Sequence, residues 1–213
     1  MEAVHVKLFL LIGILIAARV LFSIVRASPE KVRYKVCDLC DMGIIAGLVS
    51  LVLVTYVFQL SRVDGDSMLP SLHDAEFTVV NKLIYRLHHP QRGDIIVFHS
   101  PDEEGKDYIK RIIALPGEMI SIENGWVIVE GLKLNEPYVL NSPEYPFSQI
   151  TVPKDHLFVL GDNRRNSADS RSFDPPGIAE ASVLGKASYI IWPPNRWGFI
   201  QSFRGRRFLA RAQ

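Results

Sequence analysis

Met119-Ile120-Ser121-Ile122-Glu123-Asn124-Gly125-Trp126-Val127-Ile128-Val129-Glu130 decides the fold of this chain. Apolar residues alternate on both sides of Asn124-Gly125, a dipeptide that suits a type I′ turn because both central positions need positive φ. The stretch predicts a β-hairpin, MISIE paired with WVIVE. Runs of the same texture surround it: EFTVVN (76–81), DIIVFH (94–99), YIKRIIAL (108–115), HLFVL (156–160) and ASYIIW (187–192). Val, Ile, Phe and Tyr dominate these runs, as half-buried strands prefer, and Gly, Pro, Asn and Asp separate them. No long helical pattern and no internal repeat appears after Ser61. Residues 61–213 therefore read as a mainly β domain, an antiparallel sheet curled or barrel-like to protect its edges. Within it Ser142–Pro153 (SPEYPFSQITVP), rich in Pro and polar residues, is expected to be a surface loop.

Upstream the texture changes. Met42–Phe58 (MGIIAGLVSLVLVTYVF) carries no charge and no polar face. Residues 42–60 are long enough, as a helix, to cross roughly 30 Å of hydrocarbon. Leu8–Val25, within residues 1–25, is a second apolar segment that holds Arg19 near one end, where a long side chain can snorkel to the headgroups. A cleaved signal peptide is the competing reading of that segment; its length and the lack of a clean small-x-small site stand against it. Two transmembrane α-helices are expected. The loop between them, residues 26–41 (RASPEKVRYKVCDLCD), carries Arg26, Lys31, Arg33 and Lys35, which marks it as cytoplasmic and puts residues 61–213 across the membrane.

Composition narrows the rest. Lys and Arg total 24 against 23 Asp and Glu, so no bulk electrostatic case exists for nucleic acid. Cys37 and Cys40 are the only cysteines. They cannot staple the β domain, and a lone C-x-x-C without a second pair or a nearby His reads as incidental. No His/Cys/Asp ligand constellation is evident, and neither metal nor cofactor is expected.

Three clusters stand apart from strand texture. Val63-Asp64-Gly65-Asp66-Ser67-Met68-Leu69-Pro70-Ser71-Leu72 puts a serine in a glycine-containing turn, where adjacent N–H groups can converge as an oxyanion hole requires. Alone, such a segment is more often just a turn. Asp107-Tyr108-Ile109-Lys110-Arg111-Ile112-Ile113-Ala114-Leu115-Pro116-Gly117 buries Lys110 or Arg111 in an apolar run, since neighbours on a strand face opposite ways. A lysine in apolar surroundings loses hydration of its charged form, so its pKa falls and it can accept a serine proton. The bland reading is an edge-strand lysine guarding against aggregation. Gly161-Asp162-Asn163-Arg164-Arg165-Asn166-Ser167-Ala168-Asp169-Ser170-Arg171 is a dense hydrogen-bonding segment, either a solvated loop or one fixed by paired charges.

Taken in order, D-G-D-S-M-L-P-S-L, R-G-D-I-I-V-F, Y-I-K-R-I-I-A-L-P-G and G-D-N-R-R-N-S-A-D-S-R resemble bacterial type I signal peptidase. The resemblance covers Val63 to about Trp192, and the two-span N-terminus is similar to that family's topology. It implies a mostly β serine endopeptidase of the bacterial cytoplasmic membrane, its catalytic domain extracytoplasmic. Ser67 is implied as nucleophile and as an oxyanion donor through its backbone N–H, Lys110 as general base and Ser167 as the hydroxyl that orients the lysine amine. Asp162 with Arg111, and Asp169 with Arg171, are implied as supporting pairs. Val63, Asp64, Met68, Leu72, Tyr108 and Ile109 match the neighbourhood of shallow substrate pockets. The implied substrates are signal peptides of exported preproteins, cut after a small-x-small motif and bound as an added strand. Membrane lipids and the protein-export machinery are the implied neighbours.

Two departures stand out. Gly65 occupies a position where some members carry a serine that donates to the oxyanion, so a second donor is left unnamed. Arg165 replaces an acidic residue of some members. Trp192, Trp197, Phe199, Ile200 and Phe203 read either as an interfacial belt or as a partly buried aromatic cluster. The basic tail Arg204, Arg206, Arg207 and Arg211 reads as solvated. One rival, a self-cleaving repressor with the same Ser–Lys chemistry, needs a DNA-reading helical module where two apolar segments stand. Another rival is a membrane-tethered β domain that binds exported peptides without cutting them.

Overall fold

The Asn124-Gly125 turn forms as its chemistry demands, with φ of 49° and 77°. The computed structural model describes residues 2–24, 30–203 and 209–210, and the chain divides into two compact units, Met1–Phe58 and Gln59–Gln213. In the first unit helices α1 (Glu2–Ile24) and α2 (Glu30–Val52) run antiparallel. Gly43 and Gly47 let the helices approach closely: a Cβ built on Gly47 would lie 2.8 Å from Cγ1 of Ile12, and one on Gly43 3.0 Å from Leu15. Arg19 pairs with Asp41.

Among the described residues one helix, Tyr34–Val57, is long and apolar enough to cross a membrane. The expectation of two such spans is met once. In α1, Lys7 and Arg19 bound the apolar run to Leu8–Ala18, eleven residues, where a span needs about 20. Cys37 and Cys40 are free thiols on α2. Val25 and Arg26 lie outside the described residues, as do Arg204, Arg206, Arg207 and Arg211 of the tail.

The second unit holds two antiparallel sheets. The larger follows the order β1 (Phe58–Arg62), β2 (Phe77–Asn81), β11 (Val183–Trp192), β3 (Ile95–His99), β4 (Asp107–Ala114), β9 (His156–Leu160) and β10 (Ile178–Ala179), with β12 (Gly198–Phe199) also on β11. The smaller runs β13 (Leu209–Ala210), β7 (Leu132–Leu134), β6 (Trp126–Val129), β5 (Met119–Glu123) and β8 (Phe147–Thr151). Neither closes on itself, which corrects the barrel-like expectation. The sheets instead protect apolar faces by sharing a core. Ile113, Ala114, Phe158 and Leu160 of the larger pack with Ile120, Ile122, Val127, Val129 and Leu134 of the smaller. Each fully buried Ile or Leu there stabilises the fold by roughly 1.5–3 kcal/mol relative to an exposed one.

Strand β3 is central and buried on both faces. Ile95 and Val97 point into a cluster with Val63, Met68, Leu72 and Ile109, while Ile96 and Phe98 point into one with Ile112, Leu157 and Val159. The expected loop Ser142–Pro153 contains strand β8. Its Phe147 and Ile150 register with Ile122 and Ile120 of β5 and pack on the shared core, so apolar spacing outweighs the flanking prolines.

Candidate active site

Strand β4 presents two cations in succession, and alternation separates them. Lys110, opposite Ile96 on β3, is 5 % exposed. Its Nζ donates to Ser67 Oγ at 2.8 Å and to the Ile109 carbonyl at 3.0 Å. Burial pulls its amine from 10.5 down to about 8, against the upward pull of Asp169 and Asp162. The Tyr108 ring centroid stands 5.3 Å from the same nitrogen, and the Tyr108 hydroxyl donates to Glu103.

Arg111 turns the other way and is wholly buried. Its guanidinium grips Asp162 through two bonds of 2.8 and 2.7 Å. It also donates to Gly93 O and to Ser71 Oγ, just past the Ser67 turn, and stacks 4.0 Å under the Tyr138 ring. A fork of this geometry fixes a carboxylate in plane as well as in distance.

Ser67 sits in a tight turn whose ends are pinned. Gly65 adopts φ 82°, and its N–H donates to the Asp74 carboxylate at 2.8 Å. Leu72 N–H closes on Met68 O at 3.0 Å. The loop after β9 lies directly behind. A Cβ on Gly161 would stand 2.6 Å from Ser67 O and 2.3 Å from Ser167 Oγ, so no larger residue fits. Asp169 receives Gly161 N–H and two guanidinium bonds from Arg171 at 2.7 and 2.8 Å.

A groove of about 600 Å³ runs along this face, lined by Asp64, Asp66, Ser67, Tyr108, Ile109 and Lys110 among others. The structure thus brings together Ser67 and Lys110, Asp162 and Arg111, and Asp169 and Arg171. Three of the six substrate-pocket residues, Asp64, Tyr108 and Ile109, line the groove. Val63, Met68 and Leu72 lie beneath it, each at most 2 % exposed within the core. Ser167 Oγ is buried without a hydrogen-bond partner among the described residues; the lysine amine is held by Ser67 and the Ile109 carbonyl instead.

The signal peptidase, peptidase S26, family matches residues 37–192 of this sequence. The chain belongs to that family. A probable signal peptidase I-1 of Synechocystis sp. is 39 % identical over 166 residues, covering 75 % of this chain and 84 % of that protein. A signal peptidase I of Mycobacterium tuberculosis is 32 % identical over 230 residues, covering 82 % and 78 %. The crystal structure of a signal peptidase I from Enterococcus faecalis is 34 % identical and covers 47 % of this chain and 98 % of that one, with a TM-score of 0.43. As a member of the signal peptidase family the chain is an enzyme, a serine hydrolase acting on peptide bonds.

The signal peptidase loop is braced by Arg164, within the G-D-N-R-R motif, and by residues after β7 with no distinctive sequence signal. Buried Arg164 donates to both carboxylate oxygens of Glu136 at 2.9 and 2.7 Å and to Gly161 O. Tyr138, its phenol pushed well up by burial, donates to the same carboxylate. Leu140 N–H reaches Asp162 O. Glu136, Tyr138 and Leu140 follow β7 at every second position, which is the one pattern that could have revealed an extended segment there.

Proposed function

We propose that this chain is a membrane-bound endopeptidase that removes signal peptides from exported preproteins after a small-x-small motif, with Ser67 as nucleophile and Lys110 as general base. The observation that carries this reading is the 2.8 Å contact between Lys110 Nζ and Ser67 Oγ, made by a lysine buried enough to be held near 8. A neutral amine takes the Ser67 proton as Oγ bonds to the scissile carbonyl carbon, whose π electrons move to oxygen. Lys110 returns that proton to the leaving amine as the C–N bond breaks. It then draws a proton from water, which attacks the acyl carbon; the acyl C–O bond breaks and Lys110 passes the proton to Ser67 Oγ. Ser67 N–H supports the oxyanion. Arg111–Asp162 and Arg171–Asp169 hold the loop that backs the dyad, and the Ser167 hydroxyl, uncommitted here, is available to orient the lysine amine once Ser67 Oγ turns to the substrate.

The substrate lies extended along Asp64–Ser67 and Tyr108–Lys110, with Val63, Met68 and Leu72 forming the floor beneath. Tyr34–Val57 anchors the enzyme in the bacterial cytoplasmic membrane, with residues 61–213 extracytoplasmic. The supports are the apolar length of that helix and the basic residues that precede it. Lipids and the export machinery are its surroundings.

The test is cleavage of a preprotein bearing an Ala-x-Ala site by detergent-purified chain. Wild type should cut after the second Ala, while Ser67→Ala and Lys110→Ala should lose at least about 10³-fold in kcat. Cutting retained in Ser67→Ala would sink the mechanism, and a folded wild type that binds the peptide uncut would restore the binding-domain rival.

A further inference from the structure

Building on the assignment of Ser67 as nucleophile, we infer that Asn163 is a positioning residue for the oxyanion site, fixing the peptide plane that carries the Ser67 N–H. Asn163 is buried in the loop after β9. Its Nδ2 donates to the Asp66 carbonyl at 3.1 Å, and its backbone N–H donates to the Ser67 carbonyl at 3.0 Å. One residue therefore holds both carbonyls that flank the Ser67 α-carbon, the Asp66 carbonyl also accepting a longer bond of 3.3 Å from Leu69 N–H.

The Asp66 carbonyl and the Ser67 N–H belong to the same peptide group, which is not among the chain's cis bonds. In a trans planar peptide the N–H points opposite to the C=O. With Asp66 O turned toward Asn163, the Ser67 N–H points away from it. Asp66 and Ser67 line the groove and Asn163 does not, so that N–H faces the substrate. Among the described residues it donates to no protein acceptor, whereas the N–H of Gly65 is committed to Asp74.

A peptide free to swing would have to reorganise as charge grows on the substrate oxygen. A locked one supplies its dipole without that reorganisation, which is where oxyanion donors gain their effect. Hydrogen bonding to the C=O also polarises the N–H of the same amide. The residue type matters: an Asp of the same shape accepts but cannot donate to Asp66 O. The Asn163 amide is oriented in turn by Asn141, whose Nδ2 approaches its Oδ1 at 3.5 Å beside a parallel bridge between the two residues.

The test uses the full chain in detergent with Asn163→Ala and Asn163→Asp. Two ligands are compared, a peptide aldehyde ending in Ala-x-Ala and the matching peptide alcohol. Ser67 Oγ adds to the aldehyde carbon, the π electrons pass to oxygen and the serine proton passes to Lys110, so the adduct needs the oxyanion donor and the alcohol does not. Both variants should lose about 10- to 100-fold in kcat and in aldehyde affinity. KM and alcohol affinity should stay within about twofold, and in Asn163→Ala the acid limb of the pH profile should stay in place. The aldehyde-to-alcohol ratio is independent of the folded fraction. Equal loss of both ligands, kcat unchanged within about twofold, or failure of both variants to fold would overturn the proposal, the last by making Asn163 a packing residue. If Ser67→Ala bound the aldehyde as tightly as wild type, the assignment of Ser67 itself would fall, and the inference with it.

Discussion

Lys110 is held by two neutral oxygens, Ser67 Oγ and Ile109 O, and among the described residues it makes no ion pair. Its protonated form therefore destabilises the folded chain. With a folded value near 8 against 10.5 for the free side chain, the unfolded state binds more protons between those limits, so stability rises with pH across that window. Below it the full penalty applies. Lys110→Met removes the penalty and should stabilise the chain at pH 7 by on the order of 3 kcal/mol while abolishing cleavage. The gain should fade as pH climbs from about 8 to 10.5, as denaturant unfolding in detergent at the two limits would read. Wild-type kcat/KM should rise through the same lower limit as the amine becomes neutral. Ser67 and Lys110 were legible because each stands in a motif whose neighbours constrain it. Asn163 stood in an equally visible motif, yet its partner is a carbonyl 97 residues away, and no pattern in the sequence encodes the tilt of a peptide plane.

At the level of elements, strand texture was legible where it alternated. MISIE-NG-WVIVE gave both strands and the turn, and HLFVL gave β9. Short strands such as β7 and β10 lack the length to show a period, and β8 lay hidden between prolines. The segment after β7 was unreadable for a different reason. Glu136 and Tyr138 look like ordinary surface residues until Arg164 and Arg111 arrive beneath them. Removing one partner of a buried pair leaves an uncompensated charge, so Glu136→Ala should destabilise the chain by about 3–5 kcal/mol. Adding Arg164→Met to that variant should recover part of the loss. A double-mutant cycle of thermal or denaturant unfolding checks this; additive losses would show that the pair does not brace the loop.

For the molecule as a whole, the unit from Gln59 onward carries its own core, three clusters that draw on residues of that unit. A chain lacking residues 1–57 should fold and cut a soluble Ala-x-Ala peptide with kcat/KM within about tenfold of the full chain, while losing about 10²-fold or more against preprotein held in vesicles, because tethering sets the effective concentration. Equal loss on both substrates would mean that the helices contribute to the site itself. The expectations of a second span and of a barrel-like sheet miss for one reason. Both extend a local pattern, apolar length or strand count, into a global arrangement that charge placement and shared cores decide.

The loops around Ser67 are laced by main-chain bonds, from Asn163 N–H to Ser67 O and from Leu140 N–H to Asp162 O. Loop amides ordinarily trade hydrogen for solvent deuterium far sooner than strand amides do. These two can trade only when the apparatus comes apart, so they should exchange as slowly as the centre of β3. Their deuterium uptake is then a clock for how often the resting enzyme dismantles the turn that carries Ser67.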